Sequence, residues 1–191
     1  PTLYLGFQIL EYALVNVPGA PLKQALLDAG IGEDIMGGYE NGILQPYFTV
    51  VAKGAEREQK GEFLAVLKGT LRKLADQGLD KKSLRSGINY YEFRSREADY
   101  GTAPKGLMYG LQSMDSWLYG GDPMMHLAYG ETFESLKRGV DEGYFEGLIR
   151  DYLLDNPSEA VIVVSPRRNL TAEKEAALAE KLAAYKASLS R

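Results

Sequence analysis

The sequence contains no cysteine, one histidine and one tryptophan in 191 residues. Without cysteine the chain can form no disulfide, thiolate metal site or cysteine nucleophile. A zinc site needs three or four His, Cys, Asp or Glu ligands, so zinc here would depend largely on carboxylates. The net charge of −4 argues against a basic groove that follows nucleic-acid phosphates. These scarcities point away from metal, thiol and nucleic-acid chemistry.

Catalytic motifs are also missing. The zinc motif H-x-x-E-H, the phosphate-binding G-x-x-x-x-G-K and the dinucleotide-binding G-x-G-x-x-G do not occur. His126 could act as a general base because histidine titrates near neutral pH. No nucleophile motif accompanies it, so a packed or surface histidine is the favoured interpretation. With neither a signal peptide nor a transmembrane run, we expect a soluble protein of the cytoplasm or an organelle, with no membrane partner.

Composition predicts one globular domain, with 45% hydrophobic and 25% charged residues. The chain opens inside a helical pattern, with Leu3, Phe7, Leu10 and Leu14 on one face. A natural domain seldom begins within a helix, so we expect a piece of a longer protein. Spacing and turn residues predict helices over 3–15, 22–28, 56–78, 80–94, 108–118, 133–140, 144–155 and 172–189.

Two segments have the composition of β-strands. Asn41-Gly42 is a hairpin signal, and the aromatic and β-branched residues 43–52 follow it as a strand with Pro46 at an edge or bulge. Residues 160–164 (AVIVV) predict a short buried strand. The expected fold class is α+β, helix-rich, with helices layered on a small, mostly antiparallel sheet. Its first strand would come from sequence before residue 1.

Other candidate sites each have a structural alternative. Gly30, Gly32, Gly37 and Gly38 are interpreted as turn glycines. Trp117 with Tyr119 could form a recognition surface, but Trp117 in the core is favoured. A charged cluster could clamp a peptide carboxylate or could simply form a salt-bridged helix end, which is favoured. Its members are Arg94, Arg96, Glu97 and Asp99.

Short stretches found in order along nearly the whole chain carry a family resemblance. They are residues 20–22, 26–30, 37–42, 91–94, 96–97, 104–107, 117–120 (WLYG), 122–123 (DP), 144–146 and 165–166. Each is loose alone. As an ordered set they resemble the non-catalytic second domain, or peptidase-associated region, of zinc metallopeptidases of the insulinase/pitrilysin superfamily. The similarity is to the presequence-protease and falcilysin-like branch.

This resemblance implies a specific organisation. Residues 1–170 would be a truncated, non-catalytic α/β-roll domain, and 171–191 would begin a helical linker to the second half of the parent. Zinc would be bound elsewhere in the parent, by an H-x-x-E-H motif and a glutamate outside this chain, so the fragment itself would hold no cofactor and be no enzyme. The parent would be a zinc metalloendopeptidase that hydrolyses unstructured peptides in a closed chamber.

The resemblance also implies a peptide-binding exosite. Gly37, Gly38, Tyr39, Glu40 and Asn41 match a hairpin that anchors substrate N-termini as an added strand in the insulin-degrading branch of the superfamily. An exposed sheet edge can accept a peptide in this way with little side-chain chemistry. A plain structural hairpin is the alternative, and Pro46 would limit pairing along the second strand.

Three functional hypotheses follow. The first is a chamber-wall domain, with the possible exosite, whose partners are the remaining domains of the parent and unstructured peptides. The alternative is a stand-alone protein-interaction module without enzymatic activity, which binds through the Trp117 region or the last helix. The third is an independent enzyme that works through carboxylates and His126.

Overall fold

The structure is a computed structural model that describes residues 2–98 and 100–189. The chain divides into two compact units, Pro1–Glu159 and Ala160–Arg191. The described helices of the first unit are α1 (Thr2–Glu11), α2 (Pro21–Asp28), α3 (Lys60–Gln77), α4 (Lys81–Glu97), α5 (Lys105–Trp117), α6 (Gly130–Glu142) and α7 (Tyr144–Leu148). Its strands are β1 (Asp34–Glu40) and β2 (Tyr47–Lys53), and α8 (Leu170–Ser188) belongs to the second unit. This confirms the predicted helix-rich α+β class with a small antiparallel sheet.

Helix α1 is central to the core of the first unit. It contacts β1, α4, α6 and α7, and it continues into a π-helical turn over Tyr12–Asn16. Leu5, Ile9, Leu10 and Leu14 are at most 5% exposed. A helix that is covered on most sides is apolar nearly all round, as this sequence is.

Local chemistry sets the helix boundaries. Pro21 occupies the first turn of α2, where its missing N–H costs nothing. Gly30 follows α2 with φ +71°, and its N–H donates to the Leu27 carbonyl in a C-terminal cap. The side chain of Asp80 accepts hydrogen bonds from the backbone N–H groups of Lys82 and Ser83 and so starts α4.

The sheet is a two-stranded antiparallel hairpin in the described part of the chain. Gly37 and Gly38 lie within β1, so their interpretation as turn glycines was wrong. β2 begins at Tyr47 and not at residue 43, because Pro46 cannot donate a ladder hydrogen bond and residues 41–46 form the connecting loop instead. The Asn41-Gly42 signal located the loop but understated its length.

Two predictions of burial were wrong. Trp117 is 61% exposed and not part of the core. Residues 160–164 form no strand, and Ile162 and Val164 are 82% and 87% exposed, because no described strand pairs with them. A strand needs a hydrogen-bonded neighbour as well as a β-prone composition. Helix α8 has no buried residue among those described.

Candidate peptide-binding hairpin

The first face of strand β1 packs against helix α1. Ile35 is 1% exposed, and the ring of Tyr39 stacks on the ring of Phe7 with centroids 5.3 Å apart. Burial raises the pKa of the Tyr39 hydroxyl to about 12, so this group stays a proton donor at neutral pH. Tyr39 pairs with Phe48 across the hairpin, and Phe48 also borders Phe7. One of the five predicted site residues therefore anchors the hairpin to the core.

Gly37 faces, at closer range, the π-helical turn at the end of α1, which includes Val15. A Cβ atom at this position would lie 2.9 Å from both Cβ and Cγ2 of Val15 and 3.1 Å from a carboxylate oxygen of Glu11. The first distance is well inside van der Waals contact. The absence of a side chain at Gly37 therefore lets the strand sit directly on the end of α1.

Glu11 is a buried carboxylate beside Gly37. Its side chain is 7% exposed and accepts a hydrogen bond of 2.7 Å from the Asn16 amide. Burial raises the pKa of the Glu11 carboxyl, and the hydrogen bond from Asn16 opposes this only partly. Glu11 was not among the residues predicted to be functional, although an acidic residue inside an otherwise apolar helix is a usable signal.

We expect the Glu11→Gln substitution to stabilise the chain at neutral pH. Because the folded-state pKa is raised above the unfolded value, this carboxyl favours folding below its ordinary pKa, and the advantage is lost as pH rises through the folded value. The amide oxygen of glutamine can still accept from Asn16 without carrying the buried charge. Urea unfolding should show the gain at pH 7 and a smaller gain near pH 4. A gain independent of pH would contradict the prediction.

The second face of the hairpin is open. Met36 and its partner Val51 are each 45% exposed. Gly38 lies next to them opposite Thr49, whose hydroxyl donates to the Gly38 carbonyl over 3.3 Å. Because the described sheet has two strands, one edge of each strand has no strand neighbour. The hairpin therefore offers strand edges without a described strand neighbour, which β-augmentation requires.

The last two predicted site residues are Glu40, which ends β1, and Asn41, which begins the loop. The carboxylate of Glu40 accepts from the backbone N–H of Gly42 over 3.3 Å. The side-chain nitrogen of Asn41 is buried and has no hydrogen-bond partner among the described residues. An unpaired buried donor costs about 1–3 kcal/mol, so it is a point at which a further acceptor would be favoured.

His126 is packed, as the favoured interpretation predicted. It is 7% exposed, and its ring lies 4.2 Å from the ring of Tyr4. Burial lowers the pKa of His126, so it is neutral at pH 7. The neighbouring Tyr4 hydroxyl donates to Asp115 over 2.7 Å, which joins α1 to α5. These contacts hold α1 against α5 and against the turn that carries His126.

The charged cluster at the end of α4 is a salt-bridged helix end. Arg96 pairs with Glu92 one turn earlier, and Arg94 lies over the ring of Tyr90 at 5.7 Å. Asp99 lies outside the described residues. Both guanidinium groups are thus engaged within the helix, as the favoured alternative predicted.

The donor set of the described residues does not fit zinc. No group of three or more His, Asp or Glu side chains is placed to hold a metal ion in 2–98 and 100–189. With one histidine and no cysteine, the whole sequence offers a single imidazole ligand and no thiolate ligand. No described helix is both long and apolar enough to cross a membrane.

Comparison with known proteins identifies relatives along nearly the whole chain. Presequence protease 1 of Arabidopsis thaliana, from chloroplasts and mitochondria, is 34% identical over 178 residues, which is 91% of this chain and 16% of the relative. Protein HypA of Clostridium perfringens is 42% identical over 184 residues, 96% of this chain and 19% of the relative. The chain is a homologue of the presequence proteases. The resemblance of its motifs to the insulinase/pitrilysin peptidases is therefore confirmed.

The solved structures place this homologue of the presequence proteases in a known fold. The inactive peptidase domain of a protein assigned as a zinc protease, from Bordetella parapertussis, superposes with a TM-score of 0.61 and 16% identity. The match covers 89% of this chain and 88% of that one, and at this identity it shows the fold alone. No family model matches the sequence. The chain spans less than a fifth of the length of the two relatives above.

Proposed function

We propose that this chain is the non-catalytic second domain of a zinc-dependent peptidase and forms part of the wall of its chamber. The observation that carries the proposal is the 34% identity to a presequence protease along 91% of the chain. The fold of an inactive peptidase domain supports it independently. In this proposal residues 1–170 form the domain, and 171–191, which include most of α8, begin the linker to the second half.

In this proposal zinc would be bound by the parent protein and not by this chain. Its ligands would lie outside this chain, and the peptide bond of an unstructured peptide would be cleaved there. The chain would contribute surface, and its partners would be the other domains of the parent and the peptide. A soluble location, in the cytoplasm or an organelle, stays a prediction.

The proposal predicts no zinc-dependent peptidase activity of the 191-residue chain. Fluorogenic peptides should be cleaved at the rate of a buffer blank, with or without added zinc, because the described residues supply no zinc site. A chelator-treated sample and a mock purification are the controls. Turnover that follows zinc and co-purifies with the chain would overturn the proposal.

The coding sequence separates the proposal from the stand-alone interaction module. A gene product that carries H-x-x-E-H several hundred residues before Pro1 supports a domain of a peptidase. A product without that motif supports the interaction module instead.

We also propose that the hairpin binds peptide by strand addition at its free edge. Gly38 is the best probe of this exosite because it lies on the open face, whereas Gly37 packs on α1. In the full-length protein, Gly38→Val would place a branched side chain on the open face beside the added strand, and the KM for long peptides should rise about tenfold. The KM for short peptides that cannot reach the hairpin should not change.

Gly61→Val in α3 is the matched control, because a Cβ atom there meets nothing within 4 Å. It should leave both KM values unchanged. If Gly38→Val raises the KM of long and short peptides equally, the hairpin is structural only.

A further inference from the structure

Helix α5 presents an apolar stripe to solvent. Leu107, Leu111, Met114 and Leu118 follow the i, i+4, i+7, i+11 spacing of one helical face and are 39–66% exposed. Trp117 borders the stripe and is also exposed. Helices of soluble proteins normally turn such a face towards the core. Here the face is uncovered in the described part of the chain.

The opposite side of α5 is the side that holds it in place. Ser116 is 6% exposed, and its hydroxyl donates to the Asp122 carbonyl over 2.7 Å. Asp115 accepts from Tyr4, and the Lys105 ammonium donates to the carbonyl of Glu97 over 3.3 Å. Polar contacts therefore hold α5 in place, and its apolar side remains exposed to solvent. This inverts the usual arrangement of an amphipathic helix.

The uncovered surface extends beyond the helix. Met124 and Met125 are 58% and 36% exposed and line a groove with Ala128. Contiguous apolar patches larger than a few hundred Å² are uncommon on soluble monomers and mark interaction surfaces. Tryptophan and methionine are also residue types that are enriched in the centres of interfaces. We call the stripe, Trp117 and the two methionines the α5 face.

The charges of this region favour an apolar partner. Between residues 106 and 121 the only ionisable acid or base apart from tyrosine is Asp115, and its carboxylate is engaged by Tyr4. The stripe and Trp117 thus offer no free charge to select a basic or acidic ligand, and Asp122 and Glu131 are confined to the groove beside the two methionines. Their complement is another apolar protein surface.

We infer that the α5 face packs against another domain of the same peptidase polypeptide. The inference rests on the proposed function. In the two relatives the matched segment is 19% and 16% of the protein, so more than four fifths of each relative lies outside it. Interfaces between domains of one chain bury roughly 600–1,500 Å² of surface. A second copy of the chain is the competing occupant.

Thiol accessibility tests the inference cleanly because this chain has no cysteine of its own. Leu111→Cys places a thiol on the α5 face, and Lys73→Cys places one on the exposed side of α3 as a control. Each variant is made in the 191-residue chain and in the full-length gene product. Peptide mass spectrometry after a short pulse of a water-soluble maleimide reads labelling at each position.

In the 191-residue chain at low concentration both positions should label at similar rates. In the full-length product labelling at position 111 should slow by at least about tenfold, with no change at position 73. Equal labelling at both positions in the full-length product would overturn the inference. A concentration-dependent dimer of the short chain, with position 111 protected, would assign the face to a second copy and would also overturn it.

The mass of the gene product distinguishes a failure of the proposed function from a failure of the inference about the α5 face. A product no longer than this chain would refute the proposed function and the inference together. A long product with an accessible position 111 would refute the inference alone.

Discussion

Replacement of Gly37 by valine is expected to destabilise the chain by about 3 kcal/mol, the upper part of the range for overpacking a closed site. The new Cβ atom would lie 2.9 Å from Val15, and the two branches would extend further towards the buried Glu11. Val15 is 2% exposed and has no free space to move into. Relief requires β1 to lift from α1, which also separates Tyr39 from Phe7. Urea unfolding monitored by circular dichroism gives the measurement.

Gly38→Ala is the neighbouring control. Its Cβ atom would meet only the Thr49 hydroxyl, at 3.0 Å, and a threonine hydroxyl on an open face can rotate away. We expect a change within about 0.5 kcal/mol, as for surface substitutions in general. If both variants unfold at the same urea concentration, the contact between Gly37 and the end of α1 does not constrain the hairpin.

Phe145→Ala is expected to cost about 3–5 kcal/mol, the range for removing a buried phenylalanine. Phe145 lies in α7, is 0% exposed and belongs to the main core cluster. Its ring packs edge-on against Tyr144 at 5.5 Å. Single domains are stable by only about 5–15 kcal/mol, so the loss would bring this one close to unfolding at moderate temperature.

Phe93→Ala carries the same chemical change at a site that is 64% exposed. It should lower the free energy of unfolding by less than about 0.5 kcal/mol, because the substitution removes little area from the core. A comparable loss in the two variants would mean that the burial at Phe145 is not what holds α7 in place.

The helices could be predicted from sequence because their determinants are local. Asp80 caps α4 and Gly30 ends α2 through contacts with residues no more than three positions away. Apolar spacing then selects the buried face, and Leu84 and Ile88, which lie four residues apart in α4, are both fully buried. Such signals need no knowledge of the rest of the chain.

The two wrong predictions of burial have a common physical cause. Trp117 and residues 160–164 have the composition of buried segments, but burial depends on a second surface that composition does not specify. The apolar spacing of α5 was visible in the sequence, yet it could not say whether the partner surface lies within these residues. Only the uncovered face in the structure raises that question.

The candidate site was found through resemblance and refined by geometry. The motif located residues 37–41 but treated the two glycines as equivalent. Strand register shows that they alternate, with Gly37 towards α1 and Gly38 opposite Thr49 on the other face. The side of a strand depends on the register of its pairing, which a glycine pair cannot reveal because it has no side-chain pattern.

The uncovered residues 160–164 also bear on how this polypeptide behaves if it is separated from its neighbours. Four consecutive β-branched side chains without charge or proline form the type of segment that stacks into a cross-β fibril. Glu159 stands on one side, and Pro166, Arg167 and Arg168 stand on the other. Charges and proline at the borders of an aggregation-prone segment act as gatekeepers. Here these flanking residues would oppose aggregation of a newly synthesised chain until residues 160–164 pair with another strand.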